Sequence, residues 1–145
     1  MLIPAPGSWQ RSVRKIIADF LAEGPYAVVG ASTNRAKFGN KVLRAYIEKG
    51  LEVYPINPRA DAIEGLKAYP DLKSLPRPPR GVSIITPATI TERVVVEAAD
   101  AGARFVWMQP GAESPEAVRI ARERGLAVIA DGSCFLVETG FRERD

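Results

Sequence analysis

Residues 26–39 read Tyr-Ala-Val-Val-Gly-Ala-Ser-Thr-Asn-Arg-Ala-Lys-Phe-Gly, a pattern that passes from strand through turn to helix. Tyr26 to Val29 is a short apolar run rich in β-branched residues, which favours a strand. It breaks at Gly30-Ala31-Ser32, passes through a polar loop from Thr33 to Lys37, and becomes amphipathic at Phe38-Gly39. A strand, a turn of small residues and a helix bring backbone N–H groups together at the positive end of a helix dipole, where an anion can sit. Gly30 permits a sharp turn and a close approach of backbone to ligand. Ser32 offers a hydroxyl, and Gly39 leaves room where the helix starts. The stretch therefore reads as a loop that holds the phosphates of a nucleotide-containing ligand. It is not the G-x-G-x-x-G dinucleotide fingerprint: Gly30 and Gly39 are nine positions apart and Ser32 stands where the middle glycine would be. A plain glycine-containing strand-to-helix turn is the other reading.

Working outward, apolar runs alternate with helical patterns along the chain. Upstream, Val13, Ile16, Ile17, Phe20 and Leu21 have helical spacing, with Ser8 as the candidate cap and Gly24-Pro25 as the stop. This helix, within residues 1–24, is expected to pack on one face of the sheet. Downstream, a helix is predicted over Phe38–Lys49, with Val42, Leu43, Tyr46 and Ile47 inward, and a strand over Glu52–Ile56. Residues 60–80 are weakly patterned; Ile63–Leu66 suggests a short extended piece and Asp71–Leu75 one helical turn. Further strands are predicted at Val82–Ile85, Arg104–Trp107 and Leu126–Ala130. Thr89 and Glu92 have capping-box spacing for the helix after the third main strand. Ser114 followed by Pro115 marks an N-cap and first helical position for the next. No element is assigned to residues 131–145. Near-continuous apolar strands alternating with helices argue for a parallel sheet covered on both faces. The expected fold is a doubly wound, Rossmann-like, three-layer α/β/α domain with five parallel strands, spanning residues 1–145 as a single unit.

Composition narrows the chemistry. The 145 residues are 46% hydrophobic and 26% charged, the profile of an ordinary globular protein. There is no histidine, which removes His-based acid–base chemistry, phosphohistidine and His metal ligands. A single cysteine, Cys134, allows no intramolecular disulfide. The opening MLIPAPGSWQ lacks a signal-peptide layout and no apolar run reaches membrane-span length, so a cytoplasmic location is expected. Residues 1–80 carry 13 Lys/Arg against 7 Asp/Glu, whereas residues 81–145 carry 7 against 10. The basic half contains the phosphate loop, which suits an anionic ligand. Nucleic acid is disfavoured: no basic run interleaved with aromatics and no helix-turn-helix pattern is present.

The end of the second strand separates the candidate ligands. An NAD site places an acid there for the ribose hydroxyls; this chain has Asn57-Pro58-Arg59. A guanidinium suits a phosphate on the adenosine ribose, and two common ligands carry one: NADP at the 2′ position and coenzyme A at the 3′ position. Arg59 as a solvated turn residue is the alternative. Arg35 and Lys37 lie in the loop over the expected diphosphate. Thr86-Pro87, at the next strand end, is placed to flank the adenine. Trp107 reads as core, and Cys134 as a buried, inert thiol more readily than a reactive one.

Taken in order, Val28-Val-Gly-Ala-Ser32, Tyr54-Pro-Ile-Asn-Pro-Arg59, Thr86-Pro-Ala88, Trp107-Met-Gln-Pro-Gly-Ala112 and Asp131-Gly-Ser-Cys134 resemble the small stand-alone CoA-binding proteins, which are similar to the N-terminal CoA-binding domain of the succinyl-CoA synthetase α subunit. The resemblance covers about residues 10–137. It implies a Rossmann-like domain that binds coenzyme A across the strand ends. The first loop would contact the CoA phosphates through Gly30, Ala31, Ser32, Lys37 and Gly39, with Arg35 and Phe38 beside them. Asn57, Pro58 and Arg59 would hold the adenosine end, and Thr86 and Pro87 would line the adenine. The synthetase also needs a phosphorylated histidine from a second domain; with neither in this chain, the ligase reaction is not carried over. Gly132-Ser133 before Cys134 also departs from the charged pair expected near that cysteine.

Three functions follow as expectations. The first is binding of CoA or an acyl-CoA without catalysis, with no nucleic-acid or membrane partner. The second is a small NADP-dependent reductase; only Tyr69 and Lys73 have Tyr-x-x-x-Lys spacing, and they fall in a proline-flanked turn region. The third is a CoA-responsive regulatory protein with a protein partner.

Overall fold

A computed structural model describes the backbone of residues 8–143, and side chains from Val13 onward. The element order is α1 (Ser8–Ala22), β1 (Tyr26–Val29), α2 (Phe38–Glu48), β2 (Val53–Ile56), β3 (Ala62–Ile63), β4 (Leu66–Lys67), β5 (Gly81–Ile84), α3 (Ala88–Asp100), β6 (Phe105–Met108), α4 (Pro115–Glu123), β7 (Ala127–Ile129) and α5 (Phe135–Thr139). β1, β2, β5, β6 and β7 form one parallel sheet in the order β2-β1-β5-β6-β7. With the β3–β4 hairpin set aside, this is the doubly wound order 2-1-3-4-5, whose winding reverses between the first and third strands. That expectation is met.

Alternation along each strand builds two cores. On one face Tyr26, Val28, Trp107 and Ile129 pack with Ile17 and Phe20 of α1, Val42, Leu43 and Tyr46 of α2, and Phe135 of α5. On the other, Ala27, Val29, Val82, Ile84, Val106, Met108 and Val128 pack under Val94, Val95 and Ala98 of α3 and Ala117 and Ala121 of α4. Both faces of the central strands are dry, so their sequences are nearly continuous apolar runs rather than alternating; the exception is Ser83 in β5, whose hydroxyl pairs with that of Tyr46 at 2.7 Å.

Several local expectations need correction. Ile47 is 40% exposed rather than inward; the buried stripe of α2 is Val42, Leu43 and Tyr46. The Thr89–Glu92 capping box does not form. α3 starts two residues earlier, with Pro87 rather than Thr89 at the N-cap and no side-chain cap. Glu92 is turned to Ser114, whose hydroxyl donates to it at 2.8 Å. The Thr91 hydroxyl meets that of Thr86 at 2.8 Å. The predicted Ser114 cap does form, its Oγ accepting from the Ala117 N–H at 3.2 Å. The extended piece at Ile63–Leu66 is a tight antiparallel hairpin, in which Glu64 (φ 50°) and Gly65 (φ 80°) both adopt the left-handed conformation. Two such residues in a row match the twist of the strands they join. Tyr69 lies beside the edge strand β2, donating its N–H to the Pro55 carbonyl at 3.0 Å, so Tyr69 and Lys73 do not share a helix.

Residues 131–143, left unassigned from sequence, contain α5. Gln109, fully buried at the end of β6, accepts from the Phe135 N–H at 2.8 Å, and the Phe135 ring stacks on Tyr46 at 4.0 Å between centroids. Burial pushes the Tyr46 phenol well above its ordinary pKa, against the opposing hydrogen bond with Ser83, so it stays neutral.

Candidate functional site

The β1–α2 turn owes its shape to two glycines. Gly30 has φ 96°, and a Cβ there would run into the Ile85 carbonyl; a Cβ on Gly39 would run into the Gly30 carbonyl. α2 therefore begins directly against the end of β1, the close helix–strand packing that a small residue permits. Lys37 is the N-cap of α2 and provides no side-chain cap. The N–H groups of Phe38 and Gly39 in that first turn have no intrahelical acceptor.

A buried network shapes the loop from behind. Asn40, fully buried in α2, donates to the Ser32 carbonyl at 2.9 Å and to Glu64 Oε2 at 3.1 Å. Its Oδ1 accepts from Arg44 Nε at 2.7 Å. Arg44 in turn donates to the Arg35 carbonyl at 3.0 Å and pairs with Glu143 at 3.0 Å. Arg44, and then Lys41, hold the Glu143 carboxyl below its ordinary pKa. Within the loop, Ser32 Oγ accepts from the Asn34 N–H and Asn34 Oδ1 from the Ala36 N–H. Asn40→Leu keeps the bulk but leaves the Ser32 carbonyl and Arg44 Nε unpaired in a buried place. The expected cost is about 2–3 kcal/mol, the desolvation penalty of orphaned polar groups, read by urea denaturation. A loss of only a few tenths would mean that the loop is held by other contacts.

The cleft lies where the winding reverses. It has a volume of about 440 Å³, within the roughly 300–1,000 Å³ of ligand-binding clefts. One side is the end of β1, Gly30-Ala31; another is the end of β2, Asn57-Pro58-Arg59; Thr86 and the first turns of α3 close the third. Asn57 ties two of these sides together: Nδ2 donates to the Ala31 carbonyl at 3.0 Å, and Oδ1 accepts from the Arg59 N–H at 2.8 Å. Arg59 is exposed, and among the described residues its guanidinium forms no ion pair; the same holds for Lys37.

Of the residues singled out from sequence, Gly30, Ala31, Asn57, Pro58, Arg59 and Thr86 line this cleft. Ser32, Lys37, Phe38 and Gly39 form the adjoining loop and helix start. Phe38 packs partly against the core beneath α2. Pro87 caps α3 beside Thr86. Arg35 is not brought to the cleft: Nε lies 3.5 Å from Glu64, and the side chain borders a separate hollow with Arg44 and Phe141. Cys134 is half-buried at the start of α5 and does not line the cleft. Sequence reasoning missed the wall supplied by Pro70-Asp71-Leu72 and by Ile90, Arg93, Val94 and Glu97 of α3. The latter four were visible as a stripe at i, i+3, i+4 and i+7, but nothing local says that this stripe borders a cleft.

Residues 25–140 match the model of the family described as CoA binding domain. The chain belongs to that family. An uncharacterised Bacillus subtilis protein, YneT, is 31% identical over 105 residues, covering 72% of this chain and 78% of that protein. The α subunit of an ADP-forming acetate–CoA ligase from Pyrococcus furiosus is 27% identical over 124 residues; the match covers 78% of this chain but only 27% of that subunit. A solved structure of a conserved hypothetical protein from Pyrococcus furiosus is 42% identical with a TM-score of 0.73, the match covering 78% of this chain and 97% of that one. The chain thus resembles both small stand-alone proteins and one part of a ligase subunit. Among its described residues no helix is long and apolar enough to cross a membrane.

Proposed function

We propose that this chain binds coenzyme A or an acyl-CoA across the C-terminal ends of β1, β2 and β5, without catalysing a reaction of its own. The observation that carries the reading is the cleft at the winding reversal, which joins the glycine-turned loop to an exposed Arg59 that forms no ion pair among the described residues. The amides at the start of α2 suit the diphosphate. Lys37 stands at the same helix start and adds positive charge. Arg59, at the tip of the neighbouring strand, suits the 3′-phosphate, because a guanidinium can take a phosphate through two parallel hydrogen bonds. Thr86 and Pro87 flank the adenine. The absence of histidine from the sequence leaves no residue to carry a phosphohistidine, so no ligase step is assigned to these residues.

Calorimetry with CoA, dephospho-CoA and NADPH tests this. At a ligand concentration of 100 Kd, CoA should add about 2.7 kcal/mol of stability, a rise in Tm of roughly 5–10 °C for a chain of this size. Dephospho-CoA should bind at least about tenfold more weakly, the worth of one charge-assisted hydrogen bond. Arg59→Gln should narrow that gap. Equal binding of the two ligands would remove Arg59 from the site, and tight NADPH binding would replace CoA with a reductase cofactor.

A further inference from the structure

α3 has a second face. Val95 and Ala98 are buried against the sheet, whereas Ile90, Arg93, Val94 and Glu97, spaced to lie along one side of the helix, border the cleft opposite the β2 end. Ile90 is 37% exposed there, one of the few large apolar side chains left open to solvent among the described residues. Arg93 is exposed, and its guanidinium forms no ion pair among them, even though Glu97 follows it by four positions on the same helix. Asp71, the other acid at the cleft, accepts from the Ser74 N–H at 2.9 Å. Arg59 and Arg93 therefore border the same 440 Å³ space from two walls, both without a carboxylate partner among the described residues.

We infer that Arg93 is a second specificity-determining residue, closing with Arg59 on the phosphate carried by the adenosine sugar while Ile90 offers an apolar edge to the base. This rests on the CoA reading above. A phosphomonoester carries up to two negative charges and three acceptor oxygens, more than one guanidinium satisfies. Two guanidinium groups on separate elements would also close only when both strand tip and helix are in register, which discriminates against ligands lacking the phosphate.

The test measures CoA and dephospho-CoA affinities by calorimetry for the wild-type chain and for Arg93→Gln, Arg59→Gln and the double variant. Arg93→Gln should weaken CoA binding about five- to tenfold and leave dephospho-CoA unchanged, as expected for loss of a charge-assisted contact. The double variant should bind both ligands alike. Arg93 is exposed, so the ligand-free Tm should not move. If Arg93→Gln keeps the wild-type preference while Arg59→Gln narrows it, the role of Arg93 is overturned and the CoA site stands. Equal weakening of both ligands also overturns it. If the wild-type chain binds neither ligand, both readings fall.

Discussion

Gly39→Ala should destabilise the chain by at least about 3 kcal/mol, the upper end of the range for overpacking, or prevent folding. Its Cβ would come closer than 3.0 Å to the Gly30 carbonyl oxygen, a separation real Cβ atoms essentially never show. The obstacle is backbone, not a side chain that can swing aside. Relief would require α2 to move off the end of β1. That would pull apart Val42, Leu43 and Tyr46 from the sheet and spread the amides at the helix start. The control is Gly50→Ala. Gly50 has φ 72° but nothing within 4 Å, so alanine there costs only the left-handed conformation, about 1–2 kcal/mol. Urea denaturation of the two variants compares a packing demand with a conformational one. If Gly39→Ala is no worse than Gly50→Ala, the helix start is not packed as described. Where Gly39→Ala does fold, CoA binding should be weaker than in Gly50→Ala.

Phe135→Ala should cost about 3–5 kcal/mol, the range for deleting a buried aromatic side chain. Phe135 is fully buried. Its ring stacks on Tyr46 and meets Trp107 edge-on at 5.5 Å between centroids, and Phe20 meets Trp107 edge-on in turn at 5.2 Å. Truncation opens a cavity among rigid rings that cannot collapse into it. It also loosens α5, which the Phe135 N–H anchors to Gln109 and the Glu138 carboxylate to Arg14 at 2.7 Å. Arg14 is solvent-exposed and Glu138 only partly so; even with two parallel hydrogen bonds, water screening keeps the pair's contribution small. Glu138→Gln should therefore stay within about 0.5–1 kcal/mol of wild type. A Phe135→Ala loss as small as that of Glu138→Gln would show that residues 135–143 contribute little to stability.

How much of this was legible beforehand differs from element to element. The main strands and α1–α4 could be read to within a few residues, because their apolar periodicity is local and repeats over two or more turns or pleats. The α3 start was misread by two residues. Thr89 and Glu92 satisfy a capping pattern on paper, but Pro87, which lacks an N–H and has its backbone already in the extended form (φ −56°, ψ 148°), begins the helix without a side-chain cap. α5 was invisible because five residues hold too little periodicity to register. It is held by distant partners: the buried Gln109, just after β6, accepts from its first N–H, and Phe135 packs into the core. Among the charged residues of the loop after β1, sequence placed Arg35 and Lys37 on equal terms. The β3–β4 hairpin separates them, since Glu64 at its tip draws Arg35 away.

The order of residues alone was enough to specify a parallel α/β sheet, a glycine-hinged first turn, a basic tip on the second strand and a chain without histidine. Each of these depends on residue type and near neighbours. Only the folded chain decided which of those features share one cleft: the reversal of winding between β1 and β5 sets Arg59 across from Arg93 of α3, and Asn40 behind the loop. Such juxtapositions depend on sheet order and helix rotation, which arise from packing between residues far apart in sequence, and no local pattern carries that information.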